Sequence, residues 1–305
     1  MITVFRKAIS VLIAAILSFF AMGAPNEPHT VLDEEKCLLN VCVISDAHIE
    51  GNNTARYKVF RRILQDAGNN SFGNDAAVFL GDNTMNGQEI ESLLFYGAVN
   101  NSDISDEYVV CCGNHDVGNG EGDYGKLLSR YSDYSSILTD VKSDTPFYYK
   151  VINGYYFIVL GPEDLCVYEM PISEQQYKFL EDTMALASEG GKPVFVLAHH
   201  PIYDMGEDEG ERIISILGNY DNVFFLYGHT HMPFIEGWSF ETEDGINTMN
   251  FPRCTELTGE NDNEIFAHTG DAGQIEVYED EVVVRARNFY TGEWYDNMEY
   301  HYKLK

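Results

Sequence analysis

Residues 37–48 read CLLNVCVISDAH, an apolar run of strand length at residues 37–45 that ends directly in Asp46 and His48. A short, almost uninterrupted apolar run is typical of a strand that is buried on both faces. In α/β sheets, ligands bind at the carboxyl ends of such strands. This stretch therefore predicts an α/β fold with a polar site where its first strand ends.

Strand-like and helix-like patterns alternate along the chain beyond this stretch. Residues 54–67 repeat apolar side chains at helical spacing, and Ser173 with Gln176 predicts the start of a helix that runs to about residue 188. Further helices are predicted at 89–99 and 211–217, strands at 76–80, 108–112, 194–198 and 223–227, and a hairpin at 147–160. The pattern predicts one domain over residues 25–305, with a β-rich part from 232 to 305.

The first 24 residues have the order of a secretory signal. Arg6 and Lys7 precede an apolar run at 8–22, and small residues follow it. The run is short for a membrane span, which needs roughly 20 apolar residues. We therefore expect a secreted or extracytoplasmic protein that leaves the membrane after signal cleavage, with an uncleaved membrane anchor as the alternative. The six cysteines include no C-x-x-C pair, and we expect core thiols, although an oxidising compartment permits disulfides.

The composition restricts the class of partner. The chain of 305 residues is 45% hydrophobic, which is enough for a packed core, and its formal net charge is −30. Such acidity argues against a protein that wraps nucleic-acid phosphates with lysine and arginine, and against adsorption to an anionic membrane. The expected partner is a small molecule rather than a nucleic-acid polymer.

Metal-binding side chains follow five of the predicted strands at once. Two residues apart, the side chains of D-x-H and H-x-H project to the same face and can bind one centre. A single motif of this kind has little weight, but five strand ends in one chain indicate a common site. The motifs are Asp46-Ala-His48, Gly81-Asp82, Gly113-Asn114-His115-Asp116, His199-His200-Pro201 and Gly228-His229-Thr230-His231.

In this order the motifs resemble those of the calcineurin-like metallophosphoesterase family, and the match spans residues 46–231. The resemblance implies a four-layer αββα sandwich of two mixed β-sheets flanked by helices, with a dinuclear metal site at the carboxyl ends of the strands. Met85 stands where purple acid phosphatases have a ligating tyrosine, so an iron–tyrosinate site is not expected.

The resemblance also implies a role for each motif residue. Asp82 is similar to the carboxylate that bridges two metals, His115 to the catalytic histidine that approaches the phosphate, and Asp116 to the residue that orients it. The first metal would be held by Asp46, His48 and His231, and the second by Asn114, His199 and His229.

These residue types fit phosphoester hydrolysis. Imidazole with carboxylate and amide oxygens suits Mn, Fe or Zn better than Ca, and two such ions can supply a bridging hydroxide at neutral pH. We expect hydrolysis of a phosphodiester, for example a cyclic nucleotide or a glycerophosphodiester, because no arginine pair for a monoester dianion is evident near the motifs. The alternatives are a phosphatase with the same site and a catalytically silent member of the fold that acts as a scaffold.

Overall fold

The computed structural model describes residues 24–258 and 264–305, so the predicted signal segment lies, apart from Ala24, outside the described residues. In chain order the strands are β1 (Leu39–Ile44), β2 (Ala76–Phe79), β3 (Tyr108–Val110), β4 (Tyr148–Ile152), β5 (Tyr155–Val159), β6 (Val194–Leu197), β7 (Val223–Tyr227), β8 (Phe240–Glu243), β9 (Ile246–Asn250), β10 (Leu257–Thr258), β11 (Glu264–Ile265), β12 (Asp271–Val277), β13 (Glu281–Asn288) and β14 (Glu293–Lys303).

The strands form two six-stranded mixed sheets and a short ribbon of β10 and β11. The first sheet has the order β14-β13-β12-β1-β2-β3, in which β1, β2 and β3 are parallel. The second has the order β4-β5-β6-β7-β9-β8, in which β5, β6, β7 and β9 are parallel. Each sheet thus has a parallel centre whose strands end at a common edge.

The helices are α1 (Thr54–Ala67), α2 (Glu89–Asn100), α3 (Tyr124–Thr139), α4 (Glu174–Ser188) and α5 (Glu207–Leu217), with a 3₁₀ turn at Ile202–Asp204. They cover the outer faces of the two sheets, since α1 to α3 pack on the first sheet and α4 and α5 on the second.

Alternation along β1 shows how the layers are built. Val41 and Val43 face the second sheet, where they share a core with Phe195 and Phe224. The intervening Cys42 and the next Ile44 face the helices instead. Because successive side chains of a strand point to opposite faces, both faces of β1 must be apolar. The four-layer αββα sandwich is confirmed.

The elements differ from the sequence prediction in several places. Helix α3 was not predicted, because tyrosines and serines rather than aliphatic residues occupy much of its buried face. Helix α5 begins at Glu207 rather than at residue 211, since its first turn is acidic, which suits a helix N-terminus. Strand β14 was not predicted, because its side chains are mostly exposed and show little apolar alternation.

The six cysteines are free thiols, and all except Cys37 are buried. Burial raises the pKa of the buried thiols such as Cys42 and Cys111. They therefore act as small apolar core groups, as predicted. Among the described residues, no helix combines the length and the apolar character that a membrane crossing requires.

Candidate metal centre

The predicted metal ligands come from both sheets. Asp46 and His48 follow β1, Asp82 follows β2, and Asn114 follows β3 in the first sheet. His199 follows β6, and the His229–His231 pair follows β7 in the second sheet. The site therefore lies where the carboxyl ends of two facing sheets meet, rather than along the edge of one open sheet.

A first group of donor atoms gathers around His48. Its Nε2 lies 3.0 Å from Nε2 of His231, and 3.5 Å from both Asp46 Oδ1 and Asp82 Oδ2. His231 Nε2 is 3.1 Å from Asp46 Oδ1. The donor atoms of Asp46, His48, Asp82 and His231 all lie within 4.8 Å of one another. This spacing suits a single metal ion.

A second group shares Asp82 with the first. His199 Nε2 lies 3.1 Å from Asp82 Oδ2, and the donor atoms of Asp82, His199 and His229 lie within 4.8 Å of one another. Asp82 is therefore placed between the two groups, as a carboxylate that bridges two ions must be. Two-metal sites have ions roughly 3.5–4 Å apart, which one carboxylate can span.

Asn114 lies between Gly113 and His115, which both approach Asp82, and its amide is oriented by a neighbour. Its Nδ2 donates to Oδ1 of Asn119 at 2.9 Å, which directs Nδ2 away and leaves Oδ1 as the free acceptor. The side chain is buried, and Oδ1 has no hydrogen-bond partner. A buried amide oxygen without a donor is costly, and a metal ion would satisfy it.

Unpartnered buried atoms test whether this site fits metal ions. Besides Asn114 Oδ1, the buried Asp46 Oδ1 and His199 Nε2 have no hydrogen-bond partner. His199 Nδ1 is hydrogen-bonded to the carbonyl oxygen of Leu80 at 3.0 Å, and since a carbonyl only accepts, Nε2 is the lone-pair nitrogen of the neutral ring. Asp46 Oδ1 and His199 Nε2 lie 3.9 Å apart, and acceptors this close to each other fit a cation, so the donor set fits metal ions.

The protonation states of these groups suit metal binding. Burial would raise the pKa of Asp46, but the imidazoles of His199 and His231 outweigh it and hold that pKa well below its usual range. Burial lowers the pKa of His48 to about 3 and that of His229 to about 4. Ligating carboxylates must be ionised and ligating imidazoles neutral, which is the state of these groups at neutral pH.

The pKa of His199 is shifted upwards, in contrast to the pKa values of His48 and His229. Burial lowers its pKa, but the charges of Asp82 and Asp46 prevail and raise it to about 9. The two buried carboxylates therefore attract positive charge to this position. A metal ion in the same place would take over the role of the proton.

The backbone at the site is strained where it carries the ligands. Asp46, His48, Asp82, His229 and His231 all have positive φ, between 42° and 65°. Residues with a side chain rarely adopt this region, which costs on the order of 1–3 kcal/mol each and is concentrated at functional sites. The strain is the consequence of turning side chains inward directly after a strand.

Two glycines of the motifs are required by close contacts. A Cβ on Gly113 would overlap Asp82, and one on Gly228 would overlap Ser45 and Asp46. Any larger residue would displace a predicted ligand. The glycines in G-N-H-D and G-H-x-H therefore allow two loops to approach the carboxylates.

His115 faces the shared carboxylate from the solvent side. Its Nδ1 donates to the carbonyl oxygen of Met85 at 2.6 Å, and its Nε2 lies 4.0 Å from Asp82 Oδ2. The side chain is 20% exposed, while those of Asp82 and His48 are 1% exposed. Nε2 is thus available to a substrate that reaches the site from solvent.

Asp116, which the resemblance gives as the residue that orients His115, bonds to the neighbouring loop, and the His115 ring bonds to a backbone carbonyl. The Asp116 carboxylate accepts hydrogen bonds from the backbone N–H groups of Gly113, Asn83 and Thr84, and from the Thr84 hydroxyl. It holds the loop that presents the Met85 carbonyl, so it acts on His115 only through the backbone. The sequence pattern could not reveal Met85, because any residue supplies a carbonyl.

The chain is similar to known proteins both in its sequence pattern and in its fold. A family model described as calcineurin-like phosphoesterase matches residues 39–233. A search of curated proteins found no match.

Several solved structures share the fold at low sequence identity. A dimetal phosphatase from Danio rerio has a TM-score of 0.62 and 14% identity, over 88% of this chain and 100% of that one. Purple acid phosphatase PPD1 from yellow lupin has a TM-score of 0.59 and 13% identity, and the match covers 86% of this chain and 53% of that one. GAP50, the anchor in the inner membrane complex of Plasmodium, has a TM-score of 0.52 and 14% identity. The match covers 88% of this chain and 89% of that one.

Replacing His199 tests the second group of ligands. We expect His199→Ala to bind about one metal ion per chain instead of about two, because Asp82 and the His229 imidazole would lose their partner ligand. The matched control is His200→Ala, since His200 is also buried but belongs to neither group of donor atoms. Metal content by mass spectrometry after removal of loosely bound ions measures both. Loss of metal from the His200 variant, with full content in the His199 variant, would contradict the assignment.

Proposed function

The chain belongs to the calcineurin-like phosphoesterase family, and we propose that it hydrolyses a small phosphodiester in a metal-dependent reaction. The observation that carries the proposal is the position of Asp82. Its carboxylate belongs to both groups of donor atoms and lies 4.0 Å from His115 Nε2. Metal ligands and a proton-transfer group thus converge on one point that solvent reaches.

We propose that Asp46, His48 and His231 hold one ion and that Asn114, His199 and His229 hold the other, with Asp82 between them. Support comes from the distances, the ionisation states and the unpartnered acceptors described above. The mixture of imidazole nitrogen with carboxylate and amide oxygen favours Mn, Fe or Zn over Ca. When bound, such a pair lowers the pKa of water to about 7 and withdraws charge from phosphoryl oxygens.

His115 is the proposed acid that assists the departing ester oxygen. The Met85 carbonyl keeps a proton on Nδ1, so a second proton on Nε2 is the one that can be given away. The contact with Met85 also fixes the orientation of the ring, and the T-shaped packing against His48 at 4.6 Å supports it from the other side. The residue can thus donate a proton in a defined direction.

The surroundings of the site favour a diester over a monoester dianion. Two arginines flank the ligand segment after β1, and both have acidic partners: Arg56 Nη1 is 3.6 Å from Glu50, and Arg253 Nη1 is 3.4 Å from Glu256. Arg56 also donates to the His48 carbonyl oxygen. Each guanidinium already has a carboxylate partner, which counts against its use as a second clamp for a doubly charged phosphate.

The net charge of −30 favours a small substrate. Long-range repulsion opposes a polyanion such as a nucleic acid, whereas surface charges beyond about 8 Å from a small anion are largely screened at physiological salt. The scaffold alternative is the weaker one, although the Plasmodium neighbour is an anchor protein. A silent member would not need to keep the complete set of ligands and His115.

Relative turnover of two synthetic substrates tests the proposed preference. We expect the chain loaded with Mn²⁺ to hydrolyse bis(p-nitrophenyl) phosphate faster than p-nitrophenyl phosphate, because no second clamp holds the dianion. Release of p-nitrophenol at equal substrate concentrations gives the two values of kcat/KM. The phosphatase alternative predicts the reverse order, and that result would replace the diester proposal while leaving the metal site intact.

Replacing His115 separates acid catalysis from metal binding. We expect His115→Ala to retain about two ions per chain and to lose roughly 10²–10⁴-fold in kcat, the usual contribution of a positioned proton donor. Met85→Leu is a matched control, because the substitution keeps the backbone carbonyl that contacts His115. Full activity of His115→Ala with bis(p-nitrophenyl) phosphate would show that the proposed acid role is wrong.

We also propose that the enzyme acts outside the cytoplasm, on the basis of the sequence pattern of residues 1–24. Expression of the full chain with its own N-terminus tests this. We expect the exported protein to begin near residue 25, as measured by mass spectrometry of the intact protein. Recovery of full-length chain from the membrane fraction would support the uncleaved anchor instead.

A further inference from the structure

A groove lies on the outer face of the second sheet, where the helices stop covering it. Helix α5 packs on β6 and β7, but β9 and β8 extend the sheet beyond that helix. Between α5 and these two strands is a cavity of about 420 Å³, a size common for small-molecule sites. None of the proposed metal ligands lines it.

Strand register defines the floor of this groove. Phe225 of β7 pairs with Thr248 of β9, and Thr248 pairs with Glu241 of β8, so the three residues form a row across the sheet. Phe225 is fully buried in the helix-side core, which places the row on the outer face. The floor therefore changes from aromatic near α5 to acidic at the edge strand.

Aromatic rings form one end of the groove. Tyr203 and Tyr227 meet edge to face with ring centroids 6.4 Å apart, and Trp238 completes the lining there. Tyr203 is 62% exposed, which is high for a large aromatic side chain. Rings of this kind carry a negative π face, which attracts cations.

Carboxylates form another part of the wall, together with apolar residues such as Ile202, Ile214 and Ile246. The lining contains acidic residues from α5 and from the β8–β9 hairpin, and no lysine, arginine or histidine. In the part of the chain that the structure describes, no ion pair involves any of these carboxylates. They are Glu207, Glu211, Glu241, Glu243 and Asp244.

We propose that this groove binds an organic ammonium ion, with its cationic N-alkyl groups against the aromatic end and near the carboxylates. Aromatic faces attract cations that are weakly hydrated, and unpaired carboxylates add a long-range attraction of the same sign. Anions are excluded by charge. A bare metal ion would find no ligand atom in the aromatic rings.

The groove shares no proposed ligand with the metal centre, although two of its lining residues are close to ligands in the sequence. Pro201 and Tyr227 line it, and each lies two residues from a proposed metal ligand, His199 and His229 respectively. The ammonium site is independent of the proposed hydrolysis, and its binding can be measured without substrate.

Titration calorimetry with two ligands of the same shape tests the proposal. Choline carries a quaternary ammonium group, and 3,3-dimethylbutan-1-ol replaces that nitrogen with carbon. We expect choline to bind roughly tenfold more tightly than the neutral alcohol, and the difference to shrink as salt is added. Equal binding of the two, or no binding of either, would overturn the proposal.

Two variants locate the binding in the groove. We expect Glu207→Gln combined with Glu241→Gln to weaken choline binding roughly fivefold or more, and Trp238→Leu to weaken it roughly threefold. The control is Glu181→Gln combined with Glu189→Gln, which removes the same charge from exposed positions at α4 and should leave binding unchanged. Circular dichroism checks that each variant is folded. Equal losses in both double variants would show a general charge effect and contradict the assignment.

Discussion

The buried carboxylate of Asp82 is the group on which the site depends. Its Oδ2 lies 3.1 Å from His199 of the second sheet and 3.5 Å from His48 of the first, and Oδ1 accepts the N–H of His115. Together with Asp46 it brings two negative charges into a buried space, which is costly unless positive charge accompanies them. Metal ions held by the surrounding imidazoles would supply this charge.

The same constraint explains the backbone at the strand ends. A ligand can reach the space between the sheets only if the chain turns immediately after the strand, and this turn places Asp46, Asp82 and His229 in the left-handed region. Where a second loop must come equally close, the sequence has Gly113 or Gly228. The strained backbone and the glycines are therefore two consequences of directing several ligands at one point.

The acidic surface acts over long distances, whereas the phosphate chemistry depends on groups that are close together. A net charge of −30 acts on distant polyanions, whereas the chemistry takes place among a few groups within 4.8 Å of one another. Some of the acidic residues also have a local arrangement, since those beside Tyr203 and Trp238 face a cavity that lacks cationic side chains among its lining. The metal centre is thus suited to an anionic substrate, whereas the groove is suited to a cation.

The sequence alone predicted the α/β alternation, the strand ends with their D-x-H and H-x-H pairs, and therefore the residue types of the metal centre. These are local features, because strand length, burial on both faces and side-chain direction depend on neighbours along the chain. The sequence did not reveal helix α3, whose buried face carries tyrosines that are also common at surfaces.

The tertiary structure alone decided which groups meet. It brought ligands from two different sheets to one point, assigned the His115 ring to the Met85 carbonyl instead of Asp116, and left the outer face of β8 and β9 open. A backbone carbonyl has no signature in the sequence, and the uncovered part of a sheet depends on where a distant helix ends. Such contacts join residues that are far apart in the chain, so local patterns cannot specify them.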